Sequence, residues 1–212
     1  MSTATPSLPT SAPNPASARG GRPYLITAET YSKMLAAGAI PDANRVELWE
    51  GQIVEKMGKN PPHSAALKTL NHLLVRLLPD GWHVAPECPL RLSPLHVPEP
   101  DLTIVRGDPH DYLDRDPTPA DVGLVVEVAD SSVPKNLGRM RAAYAAGGVS
   151  NYWVLNLRTR RVETHAEPVN GDTPGYLQIR SYAPDESVPL ILDGQSIAEL
   201  LVSSLLPEEQ KF

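Results

Sequence analysis

The stretch Gly123-Leu-Val-Val-Glu-Val-Ala129 constrains the fold more than any other part of the sequence. Apart from Glu127 it carries no polar side chain, which is how a strand covered on both faces reads. A carboxylate in such a strand is costly without a partner, so Glu127 needs a reason to be there. Downstream, Leu137, Met140 and Tyr144 recur at helical spacing, Asn136 stands where a cap would, and Gly147-Gly148 end the run. Asn151-Tyr-Trp-Val-Leu-Asn-Leu157 then reads as a second strand. Strand, crossover helix and strand in that order predict a parallel βαβ unit, hence a mixed α/β fold.

The flanking segments add further elements. Thr27 stands as an N-cap before Tyr31, Met34 and Leu35, with Gly38 ending a short helix. Val46, Leu48, Ile53 and Val54 alternate around Glu50-Gly51, the pattern of a β-hairpin. Residues 64–78 place Leu67, Leu70, Leu74 and Leu77 on one helical stripe. Short strands follow at Trp82–Glu87, Leu102–Arg106, Arg160–His165 and Tyr176–Tyr182, and Ser196–Leu206 reads as a closing helix. Trp49, Trp82 and Trp153 fall in predicted strands and are expected in the core.

Residues 1–22 hold Pro, Ser, Thr, Ala and Gly with almost no large apolar side chain, too little to offset ordering entropy. The expected division is therefore a disordered tail over 1–22, one domain over 23–206 and a short C-terminal tail over 207–212. No segment has the roughly 18 continuous apolar residues of a membrane-spanning helix. Cys88 is the lone cysteine, which excludes an intramolecular disulfide and fits a cytoplasmic setting; it is expected in a partly buried strand. A formal charge of −6 argues mildly against nucleic acid as a partner, although net charge says nothing of local patches.

Two acids carry the chemistry: Asp101 in Val97-Pro-Glu-Pro-Asp-Leu-Thr-Ile-Val105, and Glu127. Carboxylates converging from neighbouring strands suit a hard divalent cation, which takes oxygen ligands and keeps waters for a substrate to replace. Spacing alone leaves a second reading open, with Asp101 a turn residue and Glu127 paired to an arginine. The histidine pairs His72/His83 and His96/His110 lack the spacing of a zinc site. The sequence also lacks a GxSxG elbow, a GxxxxGK[ST] loop and a GxGxxG fingerprint, which counts against acyl transfer and nucleotide hydrolysis.

Taken in order, Val46-Glu-Leu-Trp-Glu-Gly-Gln, a helix led by His63, Pro98-Glu-Pro-Asp-Leu-Thr-Ile-Val, Leu124-Val-Val-Glu-Val-Ala-Asp and Arg141-Ala-Ala-Tyr-Ala-Ala-Gly-Gly-Val resemble the Uma-type restriction endonuclease family of the PD-(D/E)XK nuclease superfamily. The likeness runs from about residue 24 to about residue 200. It implies a central mixed sheet flanked by helices and preceded by an N-terminal β-hairpin. It also implies Mg²⁺ or Mn²⁺ held by Asp101, Glu127 and a main-chain carbonyl near Val128 or Ala129. Glu47 and His63 match positions that can support such a site, and each also has a plain structural reading, as a solvated hairpin charge and a hydrogen-bonding helix start. The superfamily's lysine, two residues after the motif Glu, is Ala129 here, and the alternative position four before Tyr144 is Met140. Of the nearby cations Lys135, Arg139 and Arg141, Lys135 is the one whose charge shifts readily.

Three functions follow as expectations. The first is a metal-dependent DNA endonuclease with Asp101, Glu127 and Lys135 as catalytic residues, working as a homodimer because both strands must be cut. The second is a degraded member of the superfamily kept as a binding or assembly module. The third is a hydrolase of another phosphate ester.

Overall fold

Strand β5 (Val122–Ala129) is buried along its whole length and sits inside a six-stranded sheet of order β3-β4-β5-β6-β7-β8. The computed structural model describes residues 22–130, 132 and 135–207. The tail expected over 1–22 lies, but for Arg22, outside the described residues, as does 208–212 of the C-terminal tail. The other sheet strands are β3 (Trp82–Pro86), β4 (Leu102–Arg106), β6 (Asn151–Asn156), β7 (Arg161–Val169) and β8 (Gly175–Tyr182). Only the β5–β6 pair is parallel, and the rest of this sheet is antiparallel. The parallel pair is the predicted βαβ unit, joined through a π-helical turn (Asn136–Met140) that runs into helix α3 (Arg141–Gly147). Gly148 ends α3 at φ 83°, in the left-handed region that glycine reaches without cost. Asn136 does not cap: it is buried, and its side-chain amide donates to Ser132 Oγ.

Both faces of the sheet are covered at β5, which explains why this strand is so apolar. On one face, Leu124, Val126 and Val128 of β5 pack with Leu67, Leu70 and Leu74 of helix α2 (Pro61–Leu77). Leu77 ends that helix and is 37% exposed, so the stripe covers one turn less than its spacing suggests. On the other face, Val125 and Ala129 pack with Tyr144, Tyr152 and Trp49. Strand period 2 puts Glu127 on this second face with Val125 and Ala129, the face α3 covers. Helix α1 (Ala28–Ala36), capped by the Thr27 side chain, packs through Tyr31 on Leu48 of the hairpin β1 (Val46–Trp49) and β2 (Gln52–Glu55).

The C-terminal segment differs from expectation. Residues read as one helix form strand β10 (Gln195–Leu201), paired antiparallel to β9 (Ser187–Leu192), and only Val202–Leu205 are helical (α4). Asp193-Gly194 joins the strands with both residues at positive φ, 51° and 75°. Such a two-residue turn matches strand twist and outweighs the weak helical spacing of Ile197, Leu200 and Leu201. Cys88 is exposed and lies beyond the end of β3, not in a strand.

Gly123 lets β5 pass under its neighbours. A Cβ there would stand 2.7 Å from the Trp82 ring and 2.7 Å from Leu192 Cδ2. Gly123→Ala is therefore expected to cost about 1–3 kcal/mol by overpacking. A thermal melt should show a fall of roughly 2–4 °C per kcal/mol for a chain of this size. An unchanged melt would mean that the ring and Leu192 yield freely.

Candidate active site

Register brings the acids together. Leu102 pairs with Val126 across β4 and β5, so Asp101, one residue before β4, falls opposite Glu127. Glu47, on β1, joins them from the hairpin. All three line one cleft of about 730 Å³, together with Lys59, His63, Lys135 and Met140. Glu47, Asp101 and Glu127 are only 5%, 5% and 6% exposed, so each carboxylate depends on its partners rather than on water.

Asp101 is the best supported of the three. Its Oδ2 accepts from Val128 N at 2.8 Å and lies 3.0 Å from His63 Nε2, while its Oδ1 lies 3.0 Å from Lys59 Nζ. Burial works to raise its pKa, but the hydrogen bond and charge of His63, the Lys59 ammonium and the Val128 N–H outweigh it and hold the carboxyl below its usual range. His63 is positioned by its own helix start: Asn60 caps α2 by accepting from His63 N at 3.0 Å, and it donates to Asp130 Oδ2 at 2.6 Å.

Glu127 is the least compensated. Its Oε1 accepts from Tyr144 OH at 2.8 Å. Burial pushes its pKa well up, the charges of Asp101 and Glu47 add to the rise, and the tyrosine bond only partly opposes it. Burial and the facing Glu127 in turn raise Tyr144 well above the ordinary phenol range, so its proton stays on the hydroxyl. Glu47 accepts from Glu99 N at 3.4 Å and has Lys135 Nζ at 3.5 Å.

The donor set fits a divalent cation. Clustered carboxylate oxygens are hard ligands, and Glu127 is buried with the charges of Asp101 and Glu47 close to it. Among the described residues no group of three His, Cys, Asp or Glu side chains is arranged to hold a metal ion. Mg²⁺ does not need such a group, since one or two carboxylates with waters and substrate oxygens suffice. Of the two backbone oxygens left open by the sequence, Ala129 C=O accepts from Leu157 N at 2.9 Å. Val128 is the better placed, because its N–H already faces Asp101 and strand geometry sends its C=O to the same edge.

Thus every acid expected from the sequence, with His63, Val128 and Lys135, lines one cleft. Arg139 turns away from it, to Glu50 at 2.8 Å and over the Trp49 ring. Lys59 was not anticipated. The signal lay in Lys59-Asn60-Pro-Pro-His63: a lysine just ahead of a helix cap, four residues from a histidine already under suspicion.

A mixed sheet with acids from adjacent strands and a preceding hairpin defines a nuclease-like fold. The chain belongs to the Uma2 family, described as "Putative restriction endonuclease", whose profile matches residues 28–200. Its fold is similar to the crystal structure of a putative nuclease belonging to DUF820 from Anabaena variabilis ATCC 29413, with a TM-score of 0.65 and 14% identity over 85% of this chain and 97% of that one. At that identity the likeness shows the fold alone. No match was found among curated proteins. No helix among the described residues is long and apolar enough to cross a membrane.

Proposed function

We propose that the protein is a divalent-cation-dependent DNA endonuclease, with Asp101, Glu127 and the Val128 carbonyl as ligands for Mg²⁺ or Mn²⁺. The observation that carries this reading is the register of β4 on β5, which sets Asp101 beside Glu127 in a cleft that also holds Glu47 and three lysines, Lys56, Lys59 and Lys135. When bound, the cation supplies charge that polarises a phosphodiester and makes an attacking water more acidic. The chain's own residues do the rest. Val128 N–H and His63 fix the orientation of Asp101, and Tyr144 fixes that of Glu127. Lys135 offsets Glu47 and stands at the cleft as a contact for a phosphate oxygen. Cutting both strands calls for two such sites, so the working form is a homodimer. The single cysteine, exposed and unpaired, suits a cytoplasmic protein.

Incubation of supercoiled plasmid with Mg²⁺ or Mn²⁺ tests the reading, alongside calorimetry of cation binding. Nicked or linear product that disappears with chelator is expected. One observation favours a second reading, a binding or assembly module: the superfamily's two usual lysine positions hold Ala129 and Met140, both buried. A protein that binds DNA without cutting it under any divalent cation supports that reading instead. Cleavage confined to a small phosphate ester supports the third.

A further inference from the structure

The two oxygens of Asp101 have different surroundings. Oδ2 is fixed by the fold, through Val128 N and His63. Oδ1 faces Lys59 Nζ at 3.0 Å, so the oxygen left for a cation is the one the lysine covers. The same ammonium also pairs with Glu87, which lines the rim of the same cleft with its side chain 51% exposed. Its backbone is pinned, because the next residue, Asn60, caps α2 and is tied to Asp130. The side chain, 35% exposed, therefore bridges the two carboxylates from a fixed base, and can give up Asp101 while keeping Glu87.

We propose that Lys59 is a displaceable counter-ion: it occupies the cation's place on Asp101 in the metal-free protein, yields to a divalent cation, and then offers its ammonium to a non-bridging oxygen of the substrate phosphodiester. This rests on the nuclease reading. It supplies from the loop before α2 the charge that Ala129 and Met140 do not. A divalent ion on Oδ1 repels the ammonium, and Glu87 receives it at the rim of the cleft, where a phosphate backbone brings the opposite charge. The same side chain thus opposes metal binding and assists the later step.

The test compares wild type, Lys59→Ala, Lys59→Arg and Glu87→Gln by Mn²⁺ calorimetry, plasmid cleavage and thermal melting. Lys59→Ala is expected to bind Mn²⁺ about two- to fivefold more tightly, the span of a partly exposed ion pair. Its kcat should fall ~10²–10³-fold, as for loss of one transition-state donor, with KM little changed. Lys59→Arg should recover part of that loss. Glu87→Gln, which leaves Asp101 as the only carboxylate holding the ammonium, should shift Mn²⁺ affinity the opposite way, about twofold weaker. A merely structural lysine does not give opposite shifts at its two partners. If wild type binds Mn²⁺ and cuts DNA while folded Lys59→Ala binds no tighter, or cuts at half the wild-type rate or more, the Lys59 assignment alone is overturned. If wild type neither binds the ion nor cuts, the nuclease reading falls and takes the assignment with it.

Discussion

Glu127→Ala and Asp101→Ala are each expected to weaken Mg²⁺ or Mn²⁺ binding by at least ~100-fold and to abolish cleavage. Loss of an outer partner of a metal ligand already costs roughly 10–100-fold in affinity or activity, and loss of the ligand itself costs more. The two variants should differ in stability. Removing Asp101 leaves Val128 N–H, His63 and Lys59 without their shared acceptor, and breaking a buried pair from one side costs about 3–5 kcal/mol. Removing Glu127 strands only the Tyr144 hydroxyl and relieves the repulsion from Asp101 and Glu47. Asp101→Asn serves as the folded control, since it keeps an acceptor oxygen but loses the charge. Calorimetry and plasmid nicking read the outcome. Cation binding at wild-type strength in either alanine variant, with the melt showing a folded protein, would defeat the ligand assignment.

The sheet was legible because its strands carry strong local signals. Leu124-Val-Val-Glu-Val and Tyr152-Trp-Val-Leu are buried on both faces, and the glycines at the end of α3, Gly147 and Gly148, close the crossover helix between them. The sequence missed the β9–β10 hairpin even though Asp193-Gly194 is a strong turn pair, because Ile197, Leu200 and Leu201 also fit a helical stripe. The acids of the site were readable for a related reason: a charge in an apolar strand, or after two prolines at a strand start, stands out from its surroundings. Lys59 did not stand out. Lysines are mostly surface residues, and only the folded position of the loop before α2 reveals that this one meets Asp101. Asn136 failed as a cap because the helix begins with a π-helical turn, which spacing does not disclose.

In the metal-free protein Glu127→Gln is expected to be more stable than wild type at neutral and alkaline pH, and the advantage should vanish in acid. The folded protein holds Glu127's pKa well above its ordinary 4.5, through burial and the nearby charges of Asp101 and Glu47. As pH rises past the unfolded value, the unfolded chain releases this proton while the folded one keeps it. Stability then falls until the raised folded pKa is passed, and is level beyond it. Below the unfolded value both states are protonated, and this contribution is absent. The slope within the window is at most about 1.4 kcal/mol per pH unit, or roughly 2–4 °C of Tm for each kcal/mol. Asp101 runs the other way, but its depressed pKa confines the stability it loses to pH below about 4, outside that window. Glutamine keeps an oxygen to accept from Tyr144, so the substitution removes the charge and little else. Saturating Mg²⁺ should reverse the order, because a ligand that binds only the folded state raises its stability, and only wild type offers the full site. Melts of both proteins from pH 4 to 9, with chelator and with Mg²⁺, check each limb. Parallel pH profiles in chelator would show that Glu127 is already compensated in the free protein, and that the strand holds it for packing rather than for a cation.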